Sequence, residues 1–151
     1  DTFGVAFFKA QSATGAALPV RGNVLLTVAD KDKNMLLPIA QRFEKLGFKI
    51  YATAGTSVFL TKHQIKNSCI NKLHEGQPNI LDALKNNDLQ LIINTPIGRG
   101  GKYDDSYIRT AAIQRKIPYV TSIAAAEATV AGIEAIHQGE TEPKALQEYH
   151  R

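Results

Sequence analysis

The sequence predicts an α/β fold, a mainly parallel five-stranded sheet with helices on both faces. Two observations predict it. Short apolar runs of strand length alternate along the chain with segments of helical period. The runs are also apolar almost throughout, residues 23–28 and 89–94 above all, as strands covered on both faces are. Parallel neighbours need a crossover, and a helix after each strand supplies one. The 151 residues suit one domain.

The elements follow in order. Phe3, Phe7 and Ala10 fall at helical spacing, and Gly15 and Pro19 punctuate the chain after them. Residues 1–21 are therefore expected to be a linker and helix belonging to a preceding domain. Asp1-Thr2-Phe3 has no initiator Met, which predicts a segment of a longer chain. Residues 22–140 form the domain and 141–151 a polar tail. Residues 23–28 read as the first strand. Asp32 or Asn34 can cap a helix with Leu36, Ala40, Phe43 and Leu46 on its apolar face and Gly47 at its end. Pro38 is tolerated there if it stays close to the first turn. Residues 48–52 are a second strand, and Thr56 caps a short helix running to Lys62. Residues 68–73, 89–94 and 117–121 complete the strands. Helices are expected over 80–85, 105–116 and 124–137, the last ended by Gly139.

Composition excludes several classes. At 44% hydrophobic and 21% charged, the chain is neither a disordered tail nor a collagen-like repeat. No apolar run approaches the ~20 residues that cross a bilayer, so no membrane partner is expected. The first residues lack the order of a secretory leader. A single Cys69 cannot close an internal disulfide, and a cytoplasmic location is expected. The net charge of +4 is spread along the chain without Trp, which argues against nucleic acid and leaves room for a small phosphorylated ligand.

In a parallel sheet, ligands bind beyond the carboxyl ends of the strands. The polar residues after each predicted strand are thus the candidates: 27–33, 53–56, 72–76 and 94–101. Thr53-Ala54-Gly55-Thr56 combines two hydroxyls, a glycine and a helix start, where backbone N–H groups and the dipole favour an anion. Plain N-capping explains the same residues equally well. Lys33 and Lys72 lie near strand ends and could converge on one anion. Asn94 and Thr95 end the most apolar strand. Gly98-Arg99-Gly100-Gly101-Lys102 is a basic loop without P-loop spacing. No spaced His/Cys set accompanies His74-Glu75, so no metal is expected. Cys69 reads as a packed thiol within its strand, and Asp104-Asp105 as acids beside a helix start. No catalytic residue is assigned.

Four motifs, in order and spacing, resemble the methylglyoxal-synthase-like domain. They are Thr27-Val-Ala-Asp-Lys-Asp-Lys33, Tyr51-Ala-Thr-Ala-Gly-Thr56, Asn71-Lys-Leu-His-Glu-Gly76 and Ile92-Ile-Asn-Thr95. More closely, they resemble the carboxyl-terminal regulatory domain of carbamoyl-phosphate synthase large chains. The likeness covers roughly residues 22–138, and Phe3 to Lys9 resembles the end of the preceding synthetase region. It implies a three-layer α/β fold and an allosteric role in arginine and pyrimidine biosynthesis, with a nucleoside monophosphate such as UMP or IMP as effector; in many bacterial members UMP inhibits and IMP activates. By position, Thr53, Thr56 and Lys33 would hold the phosphate, with Thr27 near it. Lys72 would approach the nucleotide, and Asn94 and Thr95 would contact base or ribose. Pro96 stands where many effector-binding members have Thr.

Tyr119 and Thr121 match positions near an ornithine site, with Val120 where some members carry an acid. The resemblance implies no cofactor for this domain. ATP with Mg or Mn would serve the full-length ligase, whose partners are the rest of the large chain and a glutamine-amidotransferase small subunit. The alternative is the family's lyase, methylglyoxal synthase, acting on dihydroxyacetone phosphate. Lys33 and Thr53 match its phosphate positions, and Asp30 and Asp104 approximate its acids. Gly76-Gln77-Pro78-Asn79 replaces its catalytic Gly-Gly-Asp loop, and its later-loop His is missing. Loss of an acid–base group costs ~10²–10⁴-fold.

Overall fold

The computed structural model describes residues 18–72, 75–95 and 102–141. Residues 1–17, where most of the expected linker and helix falls, Leu73, His74, and residues 96–101 and 142–151 lie outside the described residues. Five strands form one sheet: β1 (Asn23–Thr27), β2 (Lys49–Ala52), β3 (Ser68–Cys69), β4 (Leu91–Asn94) and β5 (Tyr119–Val120), in the order β3-β2-β1-β4-β5. Every pairing is parallel. The helices are α1 (Lys33–Lys45), α2 (Ala54–Lys62), α3 (Ile80–Lys85), α4 (Lys102–Gln114) and α5 (Ile123–Thr141), and a 3-10 turn at Asp30–Asp32 leads into α1.

The alternation of side chains along each strand makes two cores. Val24, Leu26, Ile50, Ala52, Leu91 and Ile93 face α1, α2 and α5, where Phe43, Leu60 and Ile133 meet them. Leu25 and Ile92 point the other way, onto Leu84 of α3 and Ile108 and Ala112 of α4. Leu18 is also buried in the first core. Because β1 and β4 lie inside the sheet, both faces of each are covered, and that is why these runs are apolar without alternation.

The strands are shorter than their apolar runs. Val28 is buried, but its N–H leaves the ladder for the Thr56 hydroxyl, so β1 ends at Thr27. The third run pairs only at Ser68 and Cys69; Asn71 then bridges to Asn79 instead of extending the strand. Cys69 is exposed, not packed, because β3 is the edge of the sheet. α1 has Leu36, Ile39, Ala40 and Phe43 buried and Pro38 exposed, with Gly47 at φ +89° just past its end. α4 begins before Asp105, so residues 104 and 105 lie within its first turn. α5 continues through Gly139 to Thr141: one glycine in a helix already packed on the sheet costs only about 1 kcal/mol. Its outer face is tied to α1 by Arg42, whose Nε and Nη2 donate to Glu134 at 3.0 and 2.5 Å, with Glu127 3.7 Å away. The hydrogen bond to Glu134 raises the Arg42 pKa above its usual value.

Candidate functional site

The strand order changes direction at β1. The chain moves outward through β2 and β3, then returns to β4 on the opposite side of β1. At such a point successive crossovers leave in opposite directions and their ends part, opening a crevice beyond the carboxyl ends of the strands. Thr27 ends β1, Thr53 follows β2, Asn94 ends β4 and Thr95 follows it. With Thr56 in the first turn of α2, these residues are all between 2% and 3% exposed. Buried polar side chains at a sheet edge need partners, and those of the threonines are one another and the β1 exit.

The main chain leaving β1 is held by hydroxyls. Val28 N–H donates to Thr56 Oγ1 at 3.2 Å and Ala29 N–H to Thr95 Oγ1 at 2.9 Å. Thr95 N–H in turn reaches Thr27 O at 3.1 Å, extending the β1–β4 ladder by one bond. Thr53 Oγ1 donates to Thr27 Oγ1 at 2.7 Å, joining the ends of β1 and β2. A hydroxyl that accepts keeps its own proton to donate, so Thr27, Thr56 and Thr95 remain hydrogen-bond donors at this edge. Thr56 is thus not the N-cap of α2. Thr53 occupies that position with no side-chain capping bond, its hydroxyl donating instead to Thr27. The first helical bond runs from Ser57 N–H to Thr53 O, which leaves the N–H groups of Ala54, Gly55 and Thr56 at the open positive end of the helix.

Lys33 completes the group. Its side chain is only 15% exposed, although the Asp30 carboxylate it pairs with is 98% exposed, so the stem lies against the domain instead of in solvent. A Cβ built on Gly55 would stand 3.8 Å from Lys33 Nζ. An ammonium and a helix N-terminus therefore meet across one glycine that leaves room between them. The Lys33 hydrogen bond and charge lower the Asp30 pKa below the usual carboxylate range. The i,i+3 spacing of Asp30 and Lys33 is the sequence signal for this pair.

Lys72 lies three residues beyond β3; its main chain is closed on Glu75, with Lys72 N–H donating to Glu75 Oε1 at 2.7 Å and Glu75 N–H to Lys72 O at 3.0 Å. Among the described residues, no hydrogen bond ties its ammonium to the threonines, which bond to one another and to the β1 exit. The Asn94 carboxamide Nδ2 donates to the Tyr119 hydroxyl at 2.7 Å. That brings Tyr119 toward the threonine group, whereas Thr121 is exposed. Asn79 caps α3 by accepting from Leu81 and Asp82 N–H, while Asp82 Oδ2 accepts from Asn79 N–H at 2.9 Å. Among the described residues, no three His, Cys, Asp or Glu are placed to hold a metal ion, and no helix is long and apolar enough to cross a membrane.

A parallel three-layer sheet with this edge defines a class, and the sequence comparisons agree with it: the model of the MGS-like domain family matches residues 35–121, and the chain belongs to that family. Its relatives are more particular. Over 144 residues, 95% of this chain, it is 44% identical to the carbamoyl phosphate synthase large chain, C-terminal section, of Aquifex aeolicus. It is 42% identical over 151 residues to the corresponding section from Methanopyrus kandleri. Against the carbamoyl phosphate synthase large chain of Archaeoglobus fulgidus, identity is 44% over 149 residues. The chain spans 27% and 28% of the two C-terminal sections and 14% of the Archaeoglobus large chain.

Proposed function

We propose that this chain is the allosteric module of a glutamine-dependent carbamoyl-phosphate synthase large chain, and that it binds a nucleoside monophosphate beyond the carboxyl ends of β2, β1 and β4. The observation that carries this reading is the convergence of Lys33 Nζ on Gly55 at the start of α2, beside buried threonines that retain donor protons. Charge, helix dipole and hydroxyl donors at one point suit a phosphate dianion. The nucleoside would extend over Thr95 toward Asn94. Such a ligand regulates by binding one conformation of the whole synthase better than another, since only differential affinity shifts an equilibrium.

The lyase alternative is less favoured. Proton abstraction needs a base of suitable pKa, and Asp30, held low by Lys33, is a weaker base than an ordinary carboxylate. At the position of the family's catalytic loop, Asn79 and Asp82 are engaged in capping α3. Calorimetry with UMP, IMP, ornithine and N-acetylglutamate tests the proposal. Nucleotide binding should weaken at least tenfold in Lys33→Ala, which removes a contact worth about 1.5–3 kcal/mol when it serves a charged ligand, and should weaken in Thr53→Val, which takes away the hydroxyl that holds Thr27 in place. Unchanged affinity in both variants, or methylglyoxal formed from dihydroxyacetone phosphate, refutes it.

A further inference from the structure

We infer that Tyr119 is a positioning residue of the nucleotide site, anchoring the Asn94 carboxamide at the carboxyl end of β4. The inference rests on the nucleoside monophosphate reading above. In the β4–β5 ladder Ile92 is paired with Tyr119, so Asn94 lies two residues further along β4 and on the same face. The Tyr119 ring packs against the core that contains Ile92 and Leu25, and its hydroxyl receives Nδ2 of Asn94 at 2.7 Å. Asn94 itself is 3% exposed.

A carboxamide whose end is bonded to a packed phenol is held in position, and the phenol can serve either end because it both donates and accepts. With Nδ2 turned toward the phenol on β5, Oδ1 is directed away from it. Phenylalanine at 119 would keep the packed ring and remove the oxygen that anchors the carboxamide. The hydroxyl therefore acts on the nucleoside half of the ligand and leaves the phosphate half, at Lys33 and α2, untouched.

The test titrates the 151-residue chain, Tyr119→Phe, Asn94→Ala and the double variant with UMP and with inorganic phosphate. Tyr119→Phe should bind UMP roughly three- to tenfold more weakly, the range of one neutral hydrogen bond. Inorganic phosphate affinity should stay within about twofold of the parent, since that probe reaches only the Lys33 end. Added to Asn94→Ala, Tyr119→Phe should cost nothing further, because it acts through the carboxamide already removed. Equal UMP affinity in the parent and Tyr119→Phe, or losses that simply add in the double variant, overturns the inference and leaves the nucleotide reading standing. An equal loss of UMP and phosphate binding overturns it as well, by making Tyr119 a structural residue only. If the parent chain binds neither UMP nor IMP, the nucleotide reading falls and this inference with it.

Discussion

Replacing Gly55 with alanine should separate the fold from the site. Gly55 is the second residue of α2 and is exposed, and an added Cβ meets Lys33 Nζ at 3.8 Å, an ordinary contact. The fold can therefore take the methyl group without strain. A helical glycine is worth about 0.5–1 kcal/mol less than alanine, so stability should rise. For a chain of this size that is an increase of roughly 1–4 °C in melting temperature. Ligand binding should move the other way. A phosphate oxygen bonded to Gly55 N–H would sit about 2.9 Å from the nitrogen, in the space between Gly55 and Lys33 that the methyl enters. Losing one charge-assisted contact costs about 1.5–3 kcal/mol, or roughly ten- to a hundredfold in affinity. Thermal melting and UMP calorimetry on the same preparation read both effects. A higher melting temperature with unchanged affinity would place the phosphate elsewhere. A fall in both would make the glycine a requirement of the fold and would sink the cradle.

Asp30→Asn removes a negative charge from the neighbourhood of the proposed phosphate, and affinity should tighten roughly two- to fivefold at low salt and converge with the parent as salt screens the difference. Weaker binding would show that Asp30 orients Lys33 instead. Because Lys33 lowers the Asp30 pKa, the pair is intact above the usual carboxylate range and is lost only as pH falls through that lowered value, so the effect of the substitution should be constant near neutrality and fade in acid. Asn79→Ala deletes the α3 cap and should cost about 1 kcal/mol in urea unfolding without altering UMP affinity; an unchanged midpoint would contradict the capping geometry. Arg42→Met cuts the link between α1 and α5, whose side chains are 29% and 39% exposed, and should cost about 0.5–1.5 kcal/mol. The raised Arg42 pKa means that its charge, and its contribution, persist at every pH below the unfolded guanidinium value and are lost only as pH rises through the folded one. The melting difference should then be flat from about pH 6 to pH 10, and a steep change within that window would implicate another group.

Much of the site could be read along the chain because each piece is local. Thr53 to Thr56 are consecutive, and Asp30 and Lys33 are one helical turn apart. What joins them is not local. Thr56 reads as a cap because hydroxyls before helices usually are, but a backbone donor 28 residues away takes its oxygen. Cys69 reads as buried because its neighbours are apolar, yet it lies on an edge strand. Tyr119 reads as part of a separate site, and its hydroxyl bond to Asn94 spans 25 residues.

Sequence alone determined the alternation of strands and helices, their apolar faces and the hydroxyl and amino groups that follow each strand. Those follow from period and composition, which act over a few residues at a time. The order β3-β2-β1-β4-β5 was decided only in three dimensions. That order sets β4 on one side of β1 and β2 on the other, and so Thr95 against Ala29 and the Lys33 ammonium beside Gly55. Packing two apolar faces of one sheet selects the arrangement of strands, and the crevice at its edge is a consequence of that selection.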